Sequence, residues 1–562
     1  MFKLAYGVRD YRKIREENYY YVDKTNYLKL LEEEGDILAY FRPDDFGKSL
    51  FISMMYYYYD INSKKIFNDI FKDTFIFGNC TDNKNNYYVL RFDFSNMIVS
   101  NDNLLEIERE FFRKVIDCIK TFNCDYGFDF NVSSNDVSVS ELMLEFLSYF
   151  RMLNLKNKLY IMIDGYDNFF NTVLFKDKDK FISIVNNISF VSNFYSIIKE
   201  YYDNGIISRV FIAGISPILL DEMGIFSKRY INISSDSEFL NMVGLSSDEV
   251  LDIISNIKDV DKDKLFKILL DNYSGYRYSK DSDVISFNTS LVMRFMREYT
   301  KVYRIPNVSL SWDKYNYNQL DILLKLGNEK YYNEILESIF KQSSIMGESF
   351  SKFDINGEFT QDNIISLLYY YGYVTIKEGL FGNSVIWGIP NYSIIDFWGN
   401  YFLKILNNFG VLIDNNSIND IFKELVLEGR VDKLSSFVEL ILKFIDNKFF
   451  MKVDEEFIKF LYYVILSGSS EFFVYNDYKC GESSADLVLF KNIEMCRNNI
   501  MIEIRYLNSK DRINKKLIDK VKKEAFGELM LCQDTNSVDK NILRKYVVIF
   551  SGNNLVLVDE LI

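Results

Sequence analysis

The chain has 562 residues and a formal charge of −14, from 80 acidic and 66 basic residues. Hydrophobic residues make up 48% and charged residues 26%, a globular balance that excludes a disordered or fibrous chain and, with so acidic a surface, a general nucleic-acid coat. There is no histidine, which excludes Ser-His-Asp and Cys-His catalysis and every metal site built on imidazole.

From the N-terminus, short apolar runs alternate with longer helical ones. Residues 36–41 (DILAYF), 88–94 (YVLRFDF), 159–163 (LYIMI) and 209–213 (RVFIA) are strand-like, each followed by a polar or glycine-bearing turn. Helical patterns fill the spans 104–121 and 140–153. Strands alternating with helices predict crossover units and a parallel sheet, whose strands, buried on both faces, read as continuous apolar runs. Past residue 300, apolar residues recur at helical spacing in 318–325 and 332–340, with one strand pair around 372–377 and 384–389. Later a helix at 454–467 leads into strands at 471–475, 485–490 and 499–504, a basic helix at 513–529 and a final strand at 546–551. The expected organisation is an α/β fold in three parts. A phosphate-loop domain with a parallel sheet and flanking helices covers 1–300. A mainly helical middle module with a β-hairpin covers 301–440. A C-terminal α/β domain covers 441–562.

The 6 cysteines include no Cys-x-x-Cys pair. That argues against a disulfide scaffold or zinc ribbon and fits a reducing cytosol. The N-terminus meets Arg9 and Asp10 at once, and no run of about 18 apolar residues occurs. A cytoplasmic protein with no membrane partner is expected.

The first chemical signal is Arg42-Pro43-Asp44-Asp45-Phe46-Gly47-Lys48-Ser49. It lies between a strand and a helical run, the context a phosphate loop requires. Backbone N–H groups at the helix start would hold phosphates, Lys48 would reach the outer phosphates and Ser49 would hold Mg²⁺. The first glycine of the general pattern is missing, with Arg42 in its place. The bland alternative is a helix N-terminus that happens to carry Gly-Lys-Ser. The second signal is Asp164, which ends the apolar strand 159–163, where a phosphate-loop enzyme places its magnesium partner.

With these motifs the chain resembles the bacterial and fungal AAA-ATPase-like proteins fused to a PD-(D/E)XK nuclease-like domain. Tyr6-Gly7-Val8-Arg9-Asp10-Tyr11 looks like the family's opening, and Tyr21-Val22-Asp23-Lys24-Thr25 like its YVDKT block. The loop looks like its RPRRFGKS, so the absent first glycine is normal there. Asp164…Tyr166-Asp167 looks like DEYD, and Phe211–Ser216 like the FITGIS strand, where AAA-type proteins keep a phosphate-sensing polar residue. Gly244-Leu245, Tyr273–Tyr278, Asn288, Gly372–Thr375 and Ile389-Pro390-Asn391 look like later blocks in the same order. The resemblance spans essentially the whole chain.

The departures from that pattern fall on the chemistry. Asp44 and Asp45 replace two arginines where a triphosphate would approach. Charges a few ångströms apart interact by about 1–4 kcal/mol at water-like to surface-like dielectric, so nucleotide affinity should fall unless both carboxylates point to solvent. Gly165 stands where the family has the glutamate that activates water, a loss of about 10²–10⁴-fold in rate for a general base. Ala213 stands where it has a threonine. Lys48, Ser49 and Asp164 survive, so binding of Mg-ATP is expected and rapid hydrolysis is not.

In the C-terminal part, Asp486 lies in the strand ADLVLF, and Glu503 and Arg505 in IMIEIR. Alternation puts Glu503 and Arg505 on one face. Two acids from adjacent strands, with a basic residue two past the second, make the PD-(D/E)XK constellation. The carboxylates suit Mg²⁺. Arg505 replaces the usual lysine and is bulkier and never deprotonated. Ser484 sits near the family's frequent arginine, Glu456 is a candidate extra ligand, and Glu528 replaces a glutamine. An Asp and a Glu on a solvated sheet are the bland alternative. The basic stretch Arg505, Lys510, Arg512, Lys515, Lys516, Lys520, Lys522 and Lys523, interrupted by Asp511 and Asp519, reads either as a phosphate-attracting surface or as a solvated helix face. The tyrosines at 56–59 and 369–371 read as packing residues, with base stacking as the alternative.

The combined expectation is an ATP-binding phosphate-loop protein with a nuclease-like C-terminal domain, possible ATPase and nuclease activities, and a role on nucleic acid in defence or mobile-element biology. Arg42, Phe46, Gly47, Lys48, Ser49 and Asp164 would hold the nucleotide. Ser49, Asp164, Asp486 and Glu503 would hold Mg²⁺, and Asp486, Glu503 and Arg505 would cut. Expected partners are ATP and, through the C-terminal domain, DNA or RNA. A ring or dimer stays open, because such ATP sites often take an arginine from a neighbouring subunit. The alternative is a catalytically degenerate paralogue acting by binding or regulation.

Overall fold

The computed structural model describes the chain except for residues 1–2, 96, 98–103, 132–137, 177–181, 184–188, 223–228, 259, 303–305, 307–315, 343, 350–358, 409–414, 446–452, 468–470, 481–482, 492–495, 509–513, 533–542 and 562. It divides into two compact units. Met1–Pro306, Asn318–Tyr331 and Met346–Asn391 form the first, and Asn307–Tyr317, Tyr332–Ile345 and Tyr392–Ile562 the second. The middle of the chain is therefore shared out, unlike the separate module expected at 301–440. The hairpin Thr375–Gly379 and Ser384–Gly388 belongs to the first unit, where the Thr375 hydroxyl accepts from the Arg277 N–H at 2.8 Å. The helix Tyr392–Asn408 belongs to the second, where Phe402 packs on Phe460.

The first unit is built on a five-stranded parallel sheet. Its strands are β1 (Ile37–Phe41), β2 (Tyr87–Asp93), β3 (Lys158–Asp164), β4 (Ile207–Gly214) and β5 (Ile231–Asn232), in the order β2-β3-β4-β1-β5. Every residue of β1 is buried, and every residue of β3 after Lys158, as covered parallel strands demand. On one face the helix Lys48–Tyr59 buries Phe51, Ile52, Met54 and Met55 against a core that includes Tyr40, Tyr160, Met162 and Phe211. Each such side chain contributes about 1.5–3 kcal/mol on burial. An aromatic cluster also packs around β2, where Phe94 and Phe194 meet Phe111 of the helix Leu104–Tyr126. The short β5 has no apolar run to announce it.

In this order β4 lies between β1 and β3. Phe41 pairs with Gly214, Asp164 with Ala213, and Asp93 with Asp164. The loop after β1, Ala213 and the two aspartates thus share the C-terminal edge of the sheet, where open α/β sheets place ligands.

The second unit carries a mixed sheet. The helix Glu455–Ser467 precedes three antiparallel strands, Phe472–Cys480, Ser483–Lys491 and Asn499–Leu507. The helix Lys515–Leu531 then precedes Leu543–Ser551, parallel to the third strand, and Asn554–Glu560 closes the edge antiparallel. Ala525 and Leu529 bury that helix against Val488, Met501, Val547 and Ile549. Cys480 and Cys532 are brought together, with Cα atoms 5.0 Å apart at a sequence separation of 52. Spacing along the chain did not reveal this proximity, because the fold brings a strand end to a helix end.

Among the described residues, no helix is long and apolar enough to cross a membrane.

Candidate functional site

Gly47 caps the helix Lys48–Tyr59 with φ +105, in the left-handed region that glycine occupies freely. The helix therefore starts directly at Lys48, with its free N–H groups and positive dipole end at the loop. Lys48 is 9% exposed at its side chain, and its Nζ donates to the carbonyls of Arg42 at 2.7 Å and Pro43 at 2.8 Å. The lysine is folded back onto its own loop. Asp44 lies 3.7 Å from it and is 72% exposed, so its charge is directed largely into solvent.

The blocks scattered along the sequence converge on this loop. The Gly244 N–H donates to the Phe46 carbonyl at 2.8 Å, and the Thr289 hydroxyl donates to the same oxygen at 2.9 Å. The Ser290 N–H donates to the Asp45 carbonyl at 3.0 Å, and the Asn288 amide reaches the Asp44 carbonyl. Phe46 is buried edge-on against Tyr276, with ring centroids 5.0 Å apart.

Two residues expected at the nucleotide are scaffold instead. The Arg42 guanidinium is buried and donates to the carbonyls of Phe41 (2.8 Å), Ser234 (2.7 Å) and Leu240 (3.3 Å), 3.8 Å from the Tyr278 ring centroid. With Phe46 it fixes the loop from behind. Tyr58 and Tyr59 are likewise core residues, Tyr59 lying 5.1 Å from Tyr160.

Asp164 is buried at the end of β3. Burial pushes its carboxyl up, while Arg91, the Ser49 hydroxyl and Lys48 pull it down. Lys48, Ser49 and Asp164 therefore lie near one another. The sequence reading missed Arg91, whose Nη2 lies 3.1 Å from Asp164 Oδ2 and 3.6 Å from Asp93 Oδ2. The signal was a lone cation inside the apolar run YVLRFDF.

Asp167 is buried and accepts from the N–H groups of Ile215 and Ser216, each at 3.0 Å. Burial pushes its carboxyl up to about 6, offset by those N–H groups and by Lys48. It pins the turn after β4, which leaves it poorly placed to replace the absent glutamate. Gly165 has φ +66, and Ala213 presents only a methyl beside Asp164.

In the second unit, Asp486 and Glu503 meet across adjacent strands, both buried. All four of their carboxylate oxygens are engaged. Asp486 Oδ1 lies 2.8 Å from Lys459 Nζ, and Oδ2 accepts from the Ile504 N–H at 2.7 Å. Glu503 Oε1 is 2.7 Å from Arg505 Nη1, and Oε2 accepts from the Asp486 N–H at 3.3 Å. Arg505 Nη1 also lies 3.7 Å from Asp486, and Nη2 lies 2.6 Å from Glu528. Burial and Asp486 still push the Glu503 carboxyl up to about 7, with Arg505 pulling down. Sequence reasoning missed Lys459, which arrives from the helix Glu455–Ser467. Glu456, a candidate metal ligand, is instead 3.3 Å from Lys459. Among the described residues, no group of three His, Cys, Asp or Glu could hold a metal ion. The pair is closed by protein cations and does not fit a metal in this arrangement.

On the helix Lys515–Leu531, Lys515, Lys516, Lys520 and Lys523 are exposed, and Lys522 bridges to Asp559. Lys510, Asp511 and Arg512 lie outside the described residues.

Residues 5–226 match the family model described as predicted AAA-ATPase. That span contains the parallel strands β1 to β4, the loop and Asp164. The match supports an ATPase-like, nucleotide-binding role for this part of the chain. A 54-residue stretch is 46% identical to an uncharacterized protein in the vnfD 5′ region of Azotobacter chroococcum mcd 1, over 9% of this chain and 10% of that protein. The chain thus spans about a tenth of the length of that curated relative.

Proposed function

We propose that the first unit binds ATP at the C-terminal edge of its parallel sheet and hydrolyses it slowly, in the cytoplasm where ATP is plentiful. The observation that carries this reading is Lys48 and Ser49 at the start of a glycine-capped helix, beside Asp164 and within the matched span. Helix N–H groups and Lys48 would hold the phosphates. Slow turnover follows from Gly165 and Ala213, which offer neither a proton acceptor nor a hydroxyl at the sheet edge.

We infer further that the second unit is a nuclease-like module that binds nucleic acid without cutting it. The exposed lysines of the helix Lys515–Leu531 are its phosphate-facing surface. The observation that favours binding over cutting is the engagement of all four acid oxygens by Lys459, Arg505 and two backbone N–H groups.

The test is filter binding of labelled ATP and of labelled DNA and RNA, each followed by a turnover assay. The expected result is retention of ATP that is lost in Lys48→Ala, retention of nucleic acid that falls steeply with salt, and no fragments in MgCl₂. Fragments that vanish in Asp486→Ala would favour an active nuclease instead.

A further inference from the structure

The strand-end aspartate that the family resemblance assigns to a magnesium ion already has a cation. Arg91 reaches it from the neighbouring strand and bridges it to Asp93, with Nη2 at 3.1 Å and 3.6 Å. Asp93 and Asp164 are register partners on parallel strands, so without the guanidinium two carboxylates would face one another at the sheet edge. Arg91 sits where it relieves that repulsion, and a guanidinium holds carboxylates through directed, charge-assisted bonds.

The Ser49 hydroxyl lies close enough to Asp164 to pull its carboxyl down alongside Arg91. Ser49 and Asp164 are oxygen donors of the type Mg²⁺ takes. In this arrangement, however, Asp164 Oδ2 is engaged by Arg91. A metal on Asp164 Oδ2 would have to displace Arg91, whose Nε is already buried without a hydrogen-bond partner among the described residues. Phosphate attraction does not require the metal either, because Lys48 and the helix start provide it.

We propose that Arg91 is the resident counter-cation of the nucleotide site, so that this chain binds ATP without a divalent metal. The inference rests on the ATP reading of the same site. Removal of Arg91 turns the site into one that depends on Mg²⁺, because Asp164 and Asp93 are then left to a metal.

The experiment is ATP titration calorimetry on the full chain, in EDTA and in millimolar MgCl₂, for wild type, Arg91→Ala and Arg91→Lys. It is paired with Mn²⁺ titration followed by electron paramagnetic resonance. Wild type should bind ATP within about twofold in the two buffers, while Arg91→Ala should bind about tenfold more tightly with Mg²⁺, a difference of about 1.4 kcal/mol. Arg91→Lys keeps the charge and should stay insensitive to the metal. Wild type should leave Mn²⁺ free, and Arg91→Ala with ATP should immobilise it. Wild-type binding that requires Mg²⁺ overturns the inference and leaves the ATP reading intact. Absence of ATP binding in both buffers overturns the ATP reading itself, and with it the inference. If Arg91→Ala does not fold, the wild-type comparison still decides.

Discussion

A Cβ placed on Gly165 would lie 2.8 Å from the Cα of Ser95 and 2.9 Å from its backbone nitrogen. The glycine also has φ +66. The position where the resemblance looks for a catalytic glutamate is therefore closed by backbone, from the side and by its own torsion. A side chain in this region of φ costs about 1–3 kcal/mol before any contact is counted. Gly165→Glu is expected to lower stability by at least that much and to leave ATP turnover at the wild-type level. Urea denaturation and a phosphate-release assay check both. Turnover appearing in a stable Gly165→Glu protein would show that Ser95 yields.

Arg42 and Lys48 belong to one loop and separate in role. Arg42→Ala leaves the carbonyls of Phe41, Ser234 and Leu240 without their donor, at about 1–3 kcal/mol for each buried group left unsatisfied. It should lower the unfolding midpoint markedly. Lys48→Ala leaves two carbonyls, of Arg42 and Pro43, without their donor, against three for Arg42→Ala, so it should remove ATP binding with a smaller change in midpoint. Denaturation and calorimetry on the two variants check the contrast.

The same comparison shows what the sequence made legible. Strand, loop and helix around Gly47-Lys48-Ser49 are contiguous, so local pattern located them, and Asp164 followed from the strand it ends. Asp486 and Glu503 were also legible, because each lies in an apolar run and antiparallel pairing sets them opposite. The cations that answer these acids were not. Arg91 reaches Asp164 from the neighbouring strand, and Lys459 reaches Asp486 from a helix, so no spacing along the chain encodes either contact. Arg42 misled for the opposite reason. It lies inside the motif, yet its side chain turns into the core.

Removing Arg505 tests the closed acid pair. Taking one partner from a buried charge pair costs about 3–5 kcal/mol, and Arg505 neutralises Glu503 directly. Arg505→Ala should be destabilised by that order and partly recovered by millimolar MgCl₂. Wild-type stability should not respond to EDTA. A midpoint of wild type that falls in EDTA would mean that a metal does enter between Asp486 and Glu503.

The Asp167 carboxyl gives a pH dependence with a definite sign. Its folded value of about 6 lies above the ordinary 3.8. Between these values the folded state holds a proton that the unfolded state has released, so stability falls as pH rises through that window. Asp167→Asn cannot titrate there. The stability of wild type relative to Asp167→Asn should therefore decline from about pH 4 to pH 6 and be flat above. Denaturation midpoints at matched ionic strength check it.

The central claim is that Lys48 and the helix it begins hold ATP, and the most direct measurement is a thermal-shift titration with ATP on wild type and Lys48→Ala. Nucleotide at about 100 times its dissociation constant adds roughly 2.7 kcal/mol of stability. The account predicts a rise in wild-type melting temperature that is absent in Lys48→Ala. No rise in wild type at millimolar ATP, with or without Mg²⁺, or an equal rise in both proteins, would contradict it.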